Sequence, residues 1–187
     1  MLDSAAMNRR TLAALLAACL LVAALAHAAQ GSAVEADSDD VRSIDAVVDA
    51  YYESLSGNRG DDRSADKKRY QSLFAPFAHV ITPTGVGDDG RGVVIARPID
   101  DWMTRYPSRR AESFYEWEIV RRTDQFDHMA SVFSTYEISR DHQYDETPDR
   151  HGVTQFTLAY MNDRWWIVAL QWSGRVADQP LPQPFGR

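Results

Sequence analysis

Three runs in the C-terminal third decide the fold: Met129-Ala-Ser-Val-Phe-Ser-Thr-Tyr-Glu-Ile-Ser139, Gly152-Val-Thr-Gln-Phe-Thr-Leu-Ala-Tyr-Met161 and Arg164-Trp-Trp-Ile-Val-Ala-Leu-Gln-Trp172. Apolar side chains fall at every second position of these runs, which is typical of β-strands with one buried face. Turn-forming residues separate the runs, and the shortest separator is the pair Asn162-Asp163. We therefore predict an antiparallel meander in this part of the chain.

The residues before the meander predict helices first and further strands later. Residues 41–55 form an amphipathic pattern with one apolar stripe: Val41, Ile44, Val48, Tyr51 and Leu55. A second helix is predicted to end at Phe74, and a third to begin at Pro98. We predict three further strands at residues 78–82, 93–96 and 114–122. Helices followed by antiparallel strands indicate an α+β fold, here as one domain over residues 41–174.

The first 28 residues have the features of a signal peptide. Arg9 and Arg10 give a basic start, residues 11–26 are rich in Leu and Ala, and Ala26-His27-Ala28 fits a cleavage site. The apolar run is short for a membrane span. We therefore expect an exported protein, periplasmic or secreted.

A second interpretation of the same leader is a lipoprotein signal. Leu16-Ala17-Ala18-Cys19 fits a lipoprotein box, in which case Cys19 would carry lipid and anchor the protein. Cys19 is the only cysteine. A chain cleaved after Ala28 could therefore form neither a disulfide nor a thiolate metal site.

The two ends of the mature chain and its charge suggest a soluble domain with flexible extensions. Residues 29–40 are small and acidic and predict a disordered lead-in, and residues 175–187 contain three prolines, which predict an extended, mobile tail.

The net charge of −7 disfavours nucleic acid and anionic membranes as partners. We expect no membrane contact unless Cys19 is lipidated.

Several segments resemble one superfamily. They are Leu73-Phe-Ala-Pro76, His128-Met-Ala-Ser-Val-Phe-Ser-Thr-Tyr-Glu137, Arg150-His-Gly152 and Arg164-Trp-Trp-Ile-Val168 with Trp172. Together with the order of elements, they resemble the nuclear transport factor 2-like superfamily and its SnoaL-like branch. The resemblance implies a cone-shaped fold, with N-terminal helices packed on a curved, mostly antiparallel sheet around an apolar pocket. It also implies a homodimer through the outer face of the sheet.

Glu137 is the first candidate for a general base, with Phe133 and Thr135 on its strand face. If this face lines the pocket, Glu137 is a buried carboxylate and a possible base, with Arg150 as its partner. If the face points outward, Glu137 pairs with an arginine of a neighbouring strand.

We interpret Glu116 and Glu118 as a solvated strand face near Arg121 or Arg140. The alternation within residues 114–122 supports this interpretation, because the apolar side chains occupy the other positions: Tyr115, Trp117 and Ile119.

Position suggests two further catalytic candidates. The resemblance implies that His79 lies beside the pocket mouth, where an imidazole would titrate near neutral pH. It also implies a pocket tyrosine on the first helix, for which Tyr51 is the candidate; the alternative is a core tyrosine with a satisfied hydroxyl. The side chains expected to contact a ligand are Tyr52, Trp102, Phe133 and Trp172.

Other motifs are discounted. Gly85-Val-Gly87-Asp-Asp-Gly90 matches a dinucleotide-binding pattern, but a strand-like segment follows it instead of a helix. Residues 141–151 carry several acidic and histidine side chains without a metal-binding spacing, so we expect a solvated loop and no metal. We expect no cofactor.

The sequence leaves three functional hypotheses. The first is a domain that binds a small apolar ligand. The second is an isomerase, dehydratase or cyclase with a carboxylate or histidine base. The third is a non-catalytic dimerisation or assembly module, for which Trp165 and Ile167 are the expected exposed apolar residues.

Overall fold

The computed structural model describes residues 33–86, 92–176, 178–181 and 185. The predicted signal peptide, including Cys19, and residues 87–90 of the glycine-rich loop lie outside the described residues. The helices are α1 Ser38–Val41, α2 Ile44–Leu55, α3 Ser64–Ser72 and α4 Ile99–Met103. The strands are β1 Phe74–Val86, β2 Gly92–Pro98, β3 Tyr115–Phe126, β4 Met129–Ser139, β5 Arg150–Met161 and β6 Arg164–Val176.

The strands form one six-stranded sheet in the order β2-β1-β6-β5-β4-β3. Every neighbouring pair is antiparallel except β1 and β6, which are parallel. The sheet is curved and unclosed, with β2 and β3 at its edges. The predicted α+β class is confirmed. Among the described residues, no helix combines the length and hydropathy needed to cross a membrane.

The predicted meander corresponds to β4, β5 and β6. Tyr136 pairs with Gly152, and Phe156 pairs with Leu170. Asn162 and Asp163 connect β5 to β6 with φ angles of 52° and 59°. Two successive positive φ angles match the right-handed twist of a tight hairpin, and Asn and Asp tolerate them.

The helices pack against one side of the sheet, which we call the inner face. This face carries Val132, Phe156 and Leu170, all fully buried, and the ring of Tyr51 meets Phe156 edge to face at 5.0 Å. Each such apolar side chain contributes about 1.5–3 kcal/mol on burial. The opposite side, with Phe133 and Val153, is the outer face.

The expectation that Trp165 and Ile167 are exposed is wrong. Trp165 is 7% exposed and Ile167 is fully buried. Trp165 packs on Tyr160 with ring centroids 5.5 Å apart, and Ile167 N donates to Leu73 O at 2.9 Å. Thr157 pairs with Ala169 whereas Leu158 pairs with Ile167, so Val168 is an extra residue, and this bulge places Ile167 on the inner face.

Several element boundaries differ from the prediction. Residues 38–40, expected in a disordered lead-in, belong to α1. Ser43 then caps α2, because its Oγ accepts from Ala46 N at 3.1 Å, so the predicted first helix is divided in two. The second helix ends at Ser72 and Phe74 already pairs with β6, which makes β1 longer than expected.

The described part of the tail contacts the outer face. His151 Nε2 lies 2.5 Å from Gln179 O, and Thr135 Oγ1 donates to Phe185 O at 3.1 Å. The rings of Phe133 and Phe185 are 5.7 Å apart. These contacts hold Phe185 against the sheet, where the composition predicted an extended tail without fixed contacts.

Candidate active site

A cavity of about 550 Å³ lies between the helices and the inner face of the sheet. Its aromatic lining consists of Tyr51, Tyr70, Trp102, Tyr106, Phe114, Tyr136 and Trp172. Its charged lining consists of Arg63, Arg105, Arg110, Glu112, Glu116 and Arg140. A mostly aromatic wall with a few convergent polar groups is typical of a site for a small organic molecule.

Glu116 is the most unusual group in this cavity. It is 7% exposed, and the described residues provide no hydrogen bond or ion pair to its carboxyl group. Burial disfavours the ionised form and raises the pKa of Glu116 to about 8. Both protonation states are therefore accessible near neutral pH, which is the condition for a general acid or base.

Buried tyrosines surround Glu116. Burial raises the pKa of Tyr51, Tyr52, Tyr70 and Tyr136, and the nearby Glu116 charge raises each of them further. These phenols therefore stay neutral and keep an O–H donor at physiological pH. The hydroxyls of Tyr51, Tyr70 and Tyr136, which line the cavity, provide donors for a ligand oxygen without competing for the proton of Glu116.

Two glycines make room for Tyr136. A Cβ atom on Gly152 would clash with the Tyr136 hydroxyl and with Ser173 O, and a Cβ on Gly174 would lie 2.8 Å from the same hydroxyl. The absence of side chains at these positions on β5 and β6 lets the phenol reach the end of the cavity next to the sheet.

The backbone of Glu116 is held by the residue that follows α2. Glu116 N donates to Ser56 Oγ at 3.0 Å, and Ser56 Oγ in turn donates to Glu116 O at 3.2 Å. One residue further along, Gly57 and Phe114 exchange backbone hydrogen bonds of 2.8 and 3.0 Å. These contacts fix the start of β3 against the end of α2.

A bulge in β3 directs Glu116 inward. Glu118 pairs with Tyr136 whereas Val120 pairs with Thr135, so Ile119 is an extra residue without a partner in β4. An extra residue exchanges the two faces of the strand on one side of the bulge. Glu116 and Glu118 consequently face the helices, and their predicted assignment to a solvated strand face is wrong.

Glu118 faces inward too, but its charge is compensated. Arg121 contacts Glu118, Asp45 and Asp49, each at 2.6 Å. Ser134 Oγ also donates a short hydrogen bond to Glu118, and Tyr52 Oη lies 2.6 Å from Ser134 Oγ. Glu118 is thus a structural carboxylate in a polar network, whereas Glu116 is the carboxyl group without a partner.

Arginines form the opposite part of the wall. Arg63 Nη2 donates a short hydrogen bond to Tyr106 Oη, which donates to Ser54 O at 2.9 Å. The Arg63 guanidinium lies 3.9 Å from the Tyr106 ring centroid. Arg110 is 5% exposed, and its nearest acidic contact is Asp66 Oδ2, 3.9 Å from Nη2.

The structure brings three of the sequence-based candidates to this cavity. Tyr51, Trp102 and Trp172 line it, and the two tryptophan rings meet edge to face at 5.5 Å. Tyr52 is buried behind the wall in the Glu118 network. Phe133 lies on the outer face, beside a second hollow of about 370 Å³ that Phe185 and Trp172 also border.

The other two catalytic candidates lie elsewhere. Glu137 pairs in register with Trp117 and His151 and borders a surface groove with Trp117 and Tyr144. His79 is exposed on β1 and pairs with Pro98. Tyr51, Glu137 and His79 therefore do not share one site. In the part of the chain that the structure describes, no three His, Asp or Glu side chains come together as a metal site.

Solved structures share this fold. One is a candidate scytalone dehydratase from Novosphingobium aromaticivorans, with a TM-score of 0.52 and 14% identity over 78% of this chain and 93% of that chain. A second is a protein of unknown function with a cystatin-like fold from Nostoc punctiforme, with a TM-score of 0.51 and 12% identity over 72% and 90%. A third is a nuclear transport factor 2-like protein of unknown function from Shewanella baltica, with a TM-score of 0.46 and 14% identity over 70% and 90%.

The two matches with TM-scores above 0.5 support the predicted fold, in which N-terminal helices pack on a curved, mostly antiparallel sheet. No protein-family model matches the sequence, and no curated protein matches it significantly. At 12–14% identity the structural matches establish the fold alone. The function of a domain with this fold depends on the side chains that line its cavity.

Proposed function

We propose that the domain is an enzyme of the isomerase, dehydratase or cyclase type. It binds a small, largely apolar molecule in the cavity and uses Glu116 to move a proton. The observation that carries this assignment is a buried carboxyl group that has no partner among the described residues, on the wall of a cavity large enough for a ligand. A structural carboxylate would have partners, as Glu118 has.

The cavity supplies the groups that such chemistry requires. With a pKa of about 8, Glu116 loses its proton within the physiological range and is then a stronger base than an exposed carboxylate. The hydroxyls of Tyr51 and Tyr136 can donate to an oxygen that gains negative charge as the proton leaves carbon. The aromatic wall excludes water and strengthens these interactions.

A nitro-substituted benzisoxazole tests Glu116 without knowledge of the natural substrate. A carboxylate removes its ring C–H proton, the electron pair of that bond forms a nitrile, and the N–O bond breaks to release a coloured cyanophenolate. We expect the protein to catalyse this reaction with a rate that rises with pH through about 8. Glu116→Gln should lower the rate by about 100-fold or more.

The matched control is Glu137→Gln. Glu137 lies one strand away and borders a different groove, so its conversion to glutamine should leave the rate unchanged. Equal rates in the wild type and Glu116→Gln would exclude Glu116 as the base. A loss confined to Glu137→Gln would favour the sequence-based hypothesis instead.

A homodimer formed through the sheet is our second proposal, and it is compatible with either function. Because Trp165 and Ile167 are buried, other residues must form the contact. Phe126 is 74% exposed and Met129 is 61% exposed, and the two pair at the end of the β3–β4 hairpin. Large exposed apolar side chains at a sheet edge favour association.

Export is also a proposal, supported by the composition of residues 1–28. Cell fractionation combined with the mass of the mature chain tests it. A chain that begins at Ala29 supports cleavage of a signal peptide, and a lipid-modified Cys19 supports the lipoprotein alternative. An unprocessed chain in the cytoplasm would contradict export.

A further inference from the structure

The cavity contains a buried cation whose hydrogen bonds are incomplete. Arg110 is 5% exposed, and its Nε and Nη2 atoms have no hydrogen-bond partner among the described residues. The Nε atom of Arg63 is in the same condition. Asp66 approaches Arg110 Nη2 only to 3.9 Å, beyond hydrogen-bonding distance.

Two facing loop segments hold these arginines in place. Arg110 N donates to Asp61 O at 3.1 Å, and Gly60 N donates to Arg110 O at 2.8 Å. Arg63 N donates to Ser108 O at 3.0 Å. Gly57 completes the arrangement, because a Cβ atom there would lie 3.0 Å from Arg110 Nε. The guanidinium therefore occupies a built position on the cavity wall and is not a solvated side chain.

Burial of a guanidinium whose Nε and Nη2 atoms make no hydrogen bond to the described residues is unfavourable. Buried polar groups in proteins are almost always paired, and a buried charge needs a counter-charge and hydrogen bonds. Burial lowers the pKa of Arg110, and the neighbouring positive charge of Arg63 lowers it further; Asp61 and Asp66 do not offset these two effects. An anionic ligand in the cavity can supply the hydrogen-bond acceptors and the negative charge that Arg110 lacks.

Most of the charged side chains that line the cavity are positive. Four arginines and two glutamates line the cavity. Glu112 is engaged by Arg140 at 3.3 Å, and Glu116 is mostly protonated below pH 8. The lining is therefore electropositive, although the chain as a whole carries a net charge of −7. A local reversal of sign favours an anionic ligand.

We infer that the cavity binds a small aromatic carboxylate, with the carboxylate on the Arg110 guanidinium beside Arg63 and the ring against the aromatic wall. A guanidinium binds a carboxylate through two parallel N–H donors, which fixes the orientation of the ligand. This inference names the substrate class of the proposed enzyme and rests on the same cavity, but it does not require Glu116 to act as a base.

Calorimetric titration with naphthoate and naphthamide tests this site. Both probes present the same ring system, and only naphthoate carries a charge at pH 7. We expect naphthoate to bind the wild type at least about tenfold more tightly than the amide does. Arg110→Met should remove that difference while the affinity for the amide stays the same.

Matched variants keep the test decisive. Arg42→Met removes an exposed arginine outside the cavity and should change naphthoate affinity by less than about threefold. Arg110→Lys keeps the charge and should retain part of the preference, so a folding defect in the methionine variant would be recognised. Equal affinity for acid and amide, or no detectable naphthoate binding by the wild type, would overturn the site.

The two proposals fail separately. If Glu116→Gln loses proton transfer but still binds naphthoate, both stand. If the benzisoxazole reaction depends on Glu116 but naphthoate binds no better than naphthamide, only the carboxylate site is excluded. Naphthoate binding without Glu116-dependent catalysis would leave a binding protein for anionic aromatic molecules.

Discussion

Glu116 and Glu118 are two residues apart on the same strand face, and their environments make them chemically different. Glu118 has four compensating contacts, three from Arg121 and one from Ser134. Glu116 has an aromatic surround and no compensating contact among the described residues. Burial without a partner raises the pKa of Glu116 to about 8. Glu118 is the same residue type, but it lies in an ion pair with Arg121.

The raised pKa of Glu116 predicts how stability depends on pH. Below about pH 4.5, Glu116 is protonated in both the folded and the unfolded chain, so its burial costs little. Between 4.5 and about 8 the unfolded chain releases this proton while the folded chain keeps it. The free energy of unfolding should therefore fall by up to about 1.4 kcal/mol per pH unit in this window and level off above it.

Glu116→Gln removes this dependence, so the variant should become progressively more stable than the wild type from pH 5 to 8. Urea denaturation at several pH values measures the difference. The neighbouring tyrosines do not contribute within this window, because their pKa values are raised by burial. A stability difference that does not change with pH would show that Glu116 is not buried in its neutral form.

At the scale of elements, sequence periodicity predicted the strands but not every face. The alternation in β4 and β5 holds over whole strands, and their pairing follows it. In β6 the alternation is interrupted, because Thr157 pairs with Ala169 whereas Leu158 pairs with Ile167. In β3 the alternation of Tyr115, Trp117 and Ile119 predicted the wrong inner face, because the bulge at Ile119 reverses the strand. The short turn at Asp127-His128 can be recognised in the sequence, and it fixes the register of Val120 against Thr135. It does not reveal the bulge that follows in the pairing of β3.

Deletion of Ile119 tests the role of the bulge. Without the extra residue, Glu116 should turn to the outer face and Trp117 to the cavity. We expect the benzisoxazole reaction to fall to the level of Glu116→Gln. Ile119→Ala, which keeps the residue count, should retain activity. A folded deletion variant with Glu116-dependent activity would contradict the proposed function of the bulge.

At the scale of the whole molecule, the fold could be predicted and the site could not. The α+β class follows from elements that are local in sequence. The cavity combines α2, α3, α4 with the segment after it, and three strands, so its members are distant in sequence. Tyr51, Trp102 and Trp172 were found as large aromatic residues near the expected pocket. The sequence does not single out Arg110 as a site residue, because its burial depends on the pairing of its loop with the loop around Asp61.

Association through the sheet edge is a property of the whole molecule, and it predicts a concentration-dependent dimer. β3 is an edge strand, and Phe126 and Met129 are exposed side by side at its end. We expect the wild type to sediment as a dimer at micromolar concentration and Phe126→Ser with Met129→Ser to weaken dimerisation by about tenfold or more. Val94→Ser is the matched control, since Val94 is 64% exposed on β2, at the opposite edge. A wild-type monomer at 100-fold higher concentration, or a dimer broken only by Val94→Ser, would exclude the β3 edge as the interface.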